Sequence, residues 1–100
     1  MIKLALFARL EAKPGKEAEV EKLLQAGLSM AHDEPATPIW FALRLGPATF
    51  AVFDAFRDET GRQNHLNGPI AQALMAKASD LLVSPPTIER MDVLGAKLAA

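Results

Sequence analysis

One acidic residue interrupts a strand face that otherwise consists of large apolar side chains. Residues 48–57, ATFAVFDAFR, show the alternating pattern of a β-strand. Phe50, Val52, Asp54 and Phe56 share one side, because successive side chains of a strand point to opposite faces. Burying a carboxylate alone is costly unless a donor meets it or its pKa rises. The fold must therefore supply Asp54 with a partner or a cavity.

The polar pair Asn64-His65 follows this strand within a predicted helix, Glu59–Leu66. The pattern predicts that Asp54 and His65 border a common cavity between sheet and helices. Two other interpretations stay open. In the first, Asp54 is a structural acceptor for a backbone N–H or for Arg44. In the second, His65 is a structural hydrogen-bonding residue at a helix end.

The rest of the chain alternates between strand and helix patterns. Period-two alternation predicts further strands, and apolar stripes at helical spacing predict two longer helices. Gly46-Pro47 predicts a hairpin turn, and Asn67-Gly68-Pro69 predicts a break between two helices. The remaining predicted strands are residues 2–12, 39–45 and 87–94, and the two longer helices are residues 16–32 and 70–82.

This order of elements predicts an α+β fold. A βαββαβ chain forms a ferredoxin-like, four-stranded antiparallel sheet with its helices on one face. The length of 100 residues suits a single domain, residues 1–100. The uncovered sheet face would carry Phe7 and apolar residues of later strands, which is an unfavourable surface for a monomer. We therefore expect a two-fold homodimer through the sheet face, pairing as a dimeric α/β barrel.

Composition narrows the functional classes. The formal net charge of −1, with both signs interspersed, gives no electrostatic footprint for nucleic acid or an acidic membrane. The absence of cysteine excludes disulfides, thiolate metal sites and a cysteine nucleophile. With two histidines, His32 and His65, a histidine-rich metal centre is not expected. No apolar run approaches the roughly 20 residues that cross a bilayer, so we expect a cytoplasmic protein.

Several short segments, in this order and spacing, resemble the antibiotic biosynthesis monooxygenase family, small dimeric α/β-barrel proteins that include quinol monooxygenase-like members. The family strand usually ends in glutamate, one residue, then tryptophan, whereas this chain has Asp54-Ala55-Phe56 and contains no tyrosine. His65 matches the family's helix histidine. The matching segments are residues 12–16 (AKPGK), 33–35 (DEP), 50–56 (FAVFDAF), 58–59 (DE) and 65–66 (HL), followed by Gly68-Pro69.

The resemblance implies a monooxygenase that needs no cofactor and no metal, because its substrate, a quinol or small aromatic polyketide, supplies the electrons to oxygen. His65 would act as the base, since imidazole titrates near neutral pH. Asn64 would hold an oxyanion through its amide, and Asp54 would orient His65. Trp40 or Phe56 would stack on a flat substrate.

Two further hypotheses accompany this one. The first is a non-catalytic homodimer that binds a small apolar or aromatic molecule between sheet and helices. The second is an isomerase or decarboxylase that uses His65 as base in the same pocket. In the structural interpretation, Trp40 and Phe56 belong to the core or to an interface, and Glu34 anchors the loop that follows the first helix.

Overall fold

A computed structural model describes residues 1–99 and shows a four-stranded antiparallel sheet in the order β2-β3-β1-β4. The central pair β1 and β3 align Leu6 with Asp54 and Phe7 with Phe53. β2 and β3 form the predicted hairpin, and β4 pairs with β1 at the other edge. The strands are β1 (Leu4–Glu11), β2 (Ile39–Arg44), β3 (Thr49–Phe56) and β4 (Thr87–Asp92).

Three helices connect the strands: α1 (Glu17–His32), α2 (Glu59–Leu66) and α3 (Pro69–Leu81). Asp58 caps α2, because its carboxylate accepts a hydrogen bond from the Gly61 N–H at 2.8 Å. Pro69 occupies the start of α3, where its missing N–H costs nothing. The predicted break between α2 and α3 is confirmed, and so is the ferredoxin-like order of elements.

The helices cover one face of the sheet, and the core lies between them. Phe50 and Val52 of β3 meet Val20 and Leu24 of α1 there. Gly27 also lies on this side, because a Cβ at its position would stand 3.2 Å from the Trp40 ring of β2. Glycine at this position therefore lets α1 approach the sheet closely.

The opposite face, here called the open face, carries aromatic and aliphatic side chains that no helix covers. Phe7, Phe53 and Phe41 lie side by side across β1, β3 and β2. The Phe41 and Phe53 ring centroids are 6.5 Å apart. Phe41 is 55% exposed and Leu43 is 40% exposed. The structure thus places large apolar side chains on the face where the sequence predicts them.

Candidate functional site

His65 lies between two carboxylates that belong to different parts of the chain. Its Nε2 is 2.8 Å from Oδ2 of Asp54, which projects from β3. Its Nδ1 is 2.8 Å from Oε1 of Glu34, in the loop between α1 and β2. All three side chains are largely buried, and Asp54 is only 2% exposed. We call Glu34, His65 and Asp54 the carboxylate–imidazole cluster.

Local sequence chemistry brings the cluster together. The loop after α1 is held in place by the Thr37 hydroxyl, which donates to Glu34 Oε1 at 3.0 Å. The loop packs tightly against α2, because a Cβ at Gly61 would stand 3.0 Å from the Ala36 carbonyl oxygen. Glycine at position 61 therefore allows α2 to approach the loop closely enough for His65 to reach Glu34.

The electrostatics favour a protonated imidazole. Burial lowers the pKa of His65, but hydrogen bonds with Asp54 and Glu34, and the negative charges of both, raise it more. The net result is a pKa above the ordinary value of 6.5. An imidazolium also fits the geometry, because both of its ring nitrogens donate and each one faces a carboxylate oxygen.

Phe56 supports the imidazole ring. Its ring centroid lies 5.5 Å from that of His65, with the two planes tilted by 44°. Phe56 is completely buried at the end of β3, so its contact in this structure is with His65 and the interior. The predicted stacking of Phe56 on a substrate remains a prediction.

A surface groove of about 280 Å³ opens beside the cluster, and we call it the His65 groove. His65 and Glu34 reach its wall, and so does Asn64, whose side chain is exposed. Asp54 does not line this groove and stands behind the imidazole as a buried partner, so the groove is not the common cavity that was predicted for Asp54 and His65. The groove is lined by Asp33, Glu34, Pro35, Ala36, Thr37, Asn64, His65 and Pro69.

Trp40 lines a different cavity. This apolar space between sheet and helices also touches Gly27 and Ile70, and its volume is about 40 Å³. That is far below the roughly 150 Å³ of an apolar protein cavity that binds benzene. An aromatic ligand does not fit there in this structure, so Trp40 lies apart from the groove at His65.

Sequence reasoning named Asp54, His65 and Asn64 as candidates, and the structure brings Asp54 and His65 into contact. It missed Glu34 as the second partner of the histidine. The available signal was an acidic residue in a proline-containing loop, which by itself indicates only a loop. Arg44, the other partner considered for Asp54, instead pairs with Glu21 and lies over the Phe50 ring.

A second buried charge, also missed, is Arg62 of α2. Its guanidinium donates to the carbonyl oxygens of Ala5 and Met91 and pairs with Glu59. These bonds tie α2 to β1 and β4 on the side away from Glu34. Arg62 thus fixes the helix that presents His65.

Within residues 1–99, no group of three or more histidine or acidic side chains is arranged to hold a metal ion. None of the helices in the same described part of the chain is long and apolar enough to span a membrane.

Solved structures include one strongly similar protein. The NE2512 protein of unknown function from Nitrosomonas europaea is 61% identical, with a TM-score of 0.97 over 100% of this chain and 97% of that protein. Rv0793 from Mycobacterium tuberculosis is 18% identical, with a TM-score of 0.83 over 94% and 97% of the two chains. No protein-family model and no curated protein matches the sequence.

A third similar structure bears a functional name. A protein called an antibiotic biosynthesis monooxygenase is 17% identical, with a TM-score of 0.78 over 92% of this chain and 99% of its own. At these lower identities the likeness shows a shared fold. The 61% identity to NE2512 shows a family relationship.

Proposed function

This chain belongs to the same family as the NE2512 protein of Nitrosomonas europaea, and we propose that it is a cofactor-independent monooxygenase acting on a quinol or a small aromatic polyketide. The fold shared with an antibiotic biosynthesis monooxygenase supports the reaction class. The observation that carries the proposal is the buried carboxylate–imidazole cluster, which reaches the surface at a groove lined by Glu34, His65 and Asn64.

The proposed reaction balances without a cofactor. A quinol reacts with O₂ to give a hydroxylated quinone and water. Four electrons pass to oxygen: two when a ring C–H becomes C–OH, and two when the quinol becomes a quinone. One oxygen atom of O₂ enters the product, and the other leaves as water with two hydrogens from the substrate.

The cluster would take the first proton from a quinol hydroxyl in the groove. Because both His65 nitrogens already donate to carboxylates, the imidazolium has no lone pair and does not itself accept the substrate proton. Glu34 lines the groove, so we assign the role of base to its carboxylate and not to His65. The imidazolium and Asp54 behind it keep the charge of that carboxylate balanced. Asn64 at the groove wall would donate its amide N–H to the resulting oxyanion.

The same geometry favours one alternative, a homodimer that binds a small aromatic ligand without turning it over. Its supporting observation is that His65 has no free ring nitrogen and so has no lone pair to offer as a base. In that case the cluster holds the loop against α2, and the groove binds the ligand. Either function is compatible with the homodimer that we propose through the open face.

Oxygen uptake with a panel of menadiol-like quinols tests the reaction. We expect uptake above the autoxidation background, with one ¹⁸O atom from ¹⁸O₂ in the hydroxyquinone product. Glu34→Gln keeps the size of the side chain but removes its charge, and it should lower the rate about 100-fold or more, in the range expected for a general base. His32→Ala changes the exposed second histidine and should react like the wild type.

Two outcomes decide between the functions. Wild-type protein that consumes oxygen no faster than buffer with every quinol would refute the monooxygenase. Saturable binding of the same compounds in isothermal titration calorimetry, without turnover, would then support the ligand-binding alternative. Equal rates for wild type and Glu34→Gln would remove the proposed role of Glu34.

A further inference from the structure

The loop after α1 turns back on itself and brings Thr37 against Glu34. The Thr37 N–H donates to the Glu34 carbonyl oxygen at 3.0 Å, which closes a four-residue turn. Pro35 occupies the second position of this turn, where its fixed φ is favourable. The Thr37 hydroxyl also donates to Glu34 Oε1 at 3.0 Å. The main chain and the side chain of Thr37 are thus both bonded to one glutamate.

The two oxygens of the Glu34 carboxylate have different surroundings. Oε1 accepts hydrogen bonds from the Thr37 hydroxyl and, at 2.8 Å, from His65 Nδ1, so both of its lone pairs are in use. Oε2 is buried, and no donor within residues 1–99 bonds to it. A proton that arrives from the His65 groove therefore has no direct path to either oxygen of Glu34.

The Thr37 hydroxyl provides an indirect path. Thr37 is 7% exposed, and it belongs to the lining of the His65 groove. A hydroxyl donates one hydrogen and accepts through two lone pairs, and that of Thr37 already donates to Glu34. Its lone pairs are therefore available to a substrate hydroxyl. The other group bonded to Oε1, the His65 imidazolium, has no lone pair to offer, because both of its nitrogens donate to carboxylates.

We propose that the Thr37 hydroxyl is a catalytic proton relay between a substrate hydroxyl and Glu34. The substrate O–H bond breaks as its proton binds Thr37 Oγ1, and the original hydroxyl proton of Thr37 passes to Glu34 Oε1 along the existing hydrogen bond. The substrate keeps the electron pair as an oxyanion, Thr37 regains its hydroxyl, and Glu34 becomes a neutral carboxylic acid. The relay rests on the proposed function, in which Glu34 is the base.

Three variants test the relay in the oxygen-uptake assay with quinols. Thr37→Val removes the hydroxyl from a side chain of similar shape. It should lower kcat about 100-fold or more with little change in KM, the range of a group that moves a proton in the transition state. Thr37→Ser retains a hydroxyl and should keep most of the wild-type rate. Thr49→Val is the matched control, because it removes a hydroxyl that donates to Glu11 at 2.7 Å outside the groove, and it should react like the wild type.

Rates in mixtures of H₂O and D₂O separate a relay from a hydroxyl that only holds the loop. Two protons move together in the relay, so a plot of the wild-type kcat against the deuterium fraction should curve. A straight or flat plot for the wild type would overturn the relay. This measurement needs no variant, so it decides the relay even if Thr37→Val does not fold, which circular dichroism checks.

The same assays separate failure of the relay from failure of the oxygenase. A wild type that consumes oxygen with quinols, is slowed by Glu34→Gln and is not slowed by Thr37→Val would overturn the relay alone. A loss of rate in Thr37→Ser as large as that in Thr37→Val would also overturn it. A wild type that consumes no oxygen with any quinol would overturn the oxygenase and the relay together.

Discussion

The two faces of β3 each present one side chain in a setting that is unfavourable without a partner. The face toward the helices buries the charged Asp54 beside Phe50 and Phe56. The face away from the helices carries Phe53, which stands next to the exposed Phe41 of β2. One face of β3 thus buries a carboxylate, and the other carries a half-buried aromatic ring beside an exposed ring of β2.

The buried carboxylate and the apolar open face each require a partner, and the two partners come from different chains. Asp54 is compensated within the chain, by an imidazole that a second carboxylate also holds. The open face has no such partner in the described residues, so we propose a second copy of the chain for it. Buried charge therefore indicates an internal site, and exposed hydrocarbon indicates an external one.

The largest effect is expected from removing the charge that both carboxylates share. His65→Ala should lower the free energy of unfolding by about 3–5 kcal/mol, because two buried carboxylates lose their common donor. Urea denaturation followed by circular dichroism measures this loss. His32→Ala, at the exposed end of α1, should change the free energy by less than about 0.5 kcal/mol.

This pair of variants tests whether the carboxylate–imidazole cluster compensates the buried charge of Asp54. A loss below about 1 kcal/mol for His65→Ala would mean that the cluster is not a compensated buried charge network, since such losses are typical of ordinary substitutions.

The proposed dimer interface on the open face is tested at Phe41. Phe41→Glu should weaken dimerisation about 100-fold, equivalent to roughly 2.7 kcal/mol, because a carboxylate would enter an apolar interface. Ile88→Glu is the matched control, since Ile88 is similarly exposed but lies on the other face of edge strand β4. Equal effects of the two substitutions in sedimentation equilibrium would exclude the open face as the specific interface.

The smallest expected effect is a dependence of stability on pH. The pKa of His65 is raised in the folded protein, so folding favours the protonated ring. Its contribution to stability is complete below pH 6.5 and is lost as the pH rises through the folded pKa. Urea denaturation between pH 5.5 and 8.5 should show this decline in the wild type and in His32→Ala.

The decline should be absent from the corresponding profile of His65→Ala. A wild-type stability that does not decline through this range, and changes with pH only as the stability of His65→Ala does, would contradict the protonated cluster.

Most of the fold could be predicted because its signals are local. Alternation in β1 and β3, the apolar stripe of α1, and Pro69 at the start of α3 each depend on neighbouring residues alone. The ends of elements are not set by local pattern: β4 stops at Asp92, whereas the sequence predicts a strand through residue 94. Alternation continues past Asp92, but pairing with β1 does not.

The site could be predicted only in part. Asp54 was identifiable because a carboxylate on an apolar strand face requires compensation, and His65 was identifiable as a nearby donor. Glu34 was not, because it lies 31 residues before His65 and its loop carries no periodic pattern. Its approach depends on Gly61, which lets the loop and α2 come close.

The sequence by itself determined the order of strands and helices, the side of β3 that is buried, and the need to compensate Asp54. These follow from the alternation of side chains along the chain and from the cost of burying a charge. Only the tertiary structure decided that Glu34 and Asp54 hold His65 from both sides, and that Trp40 lies in a separate cavity. The reason is that contacts between distant segments depend on how elements pack, and a linear pattern does not record that packing.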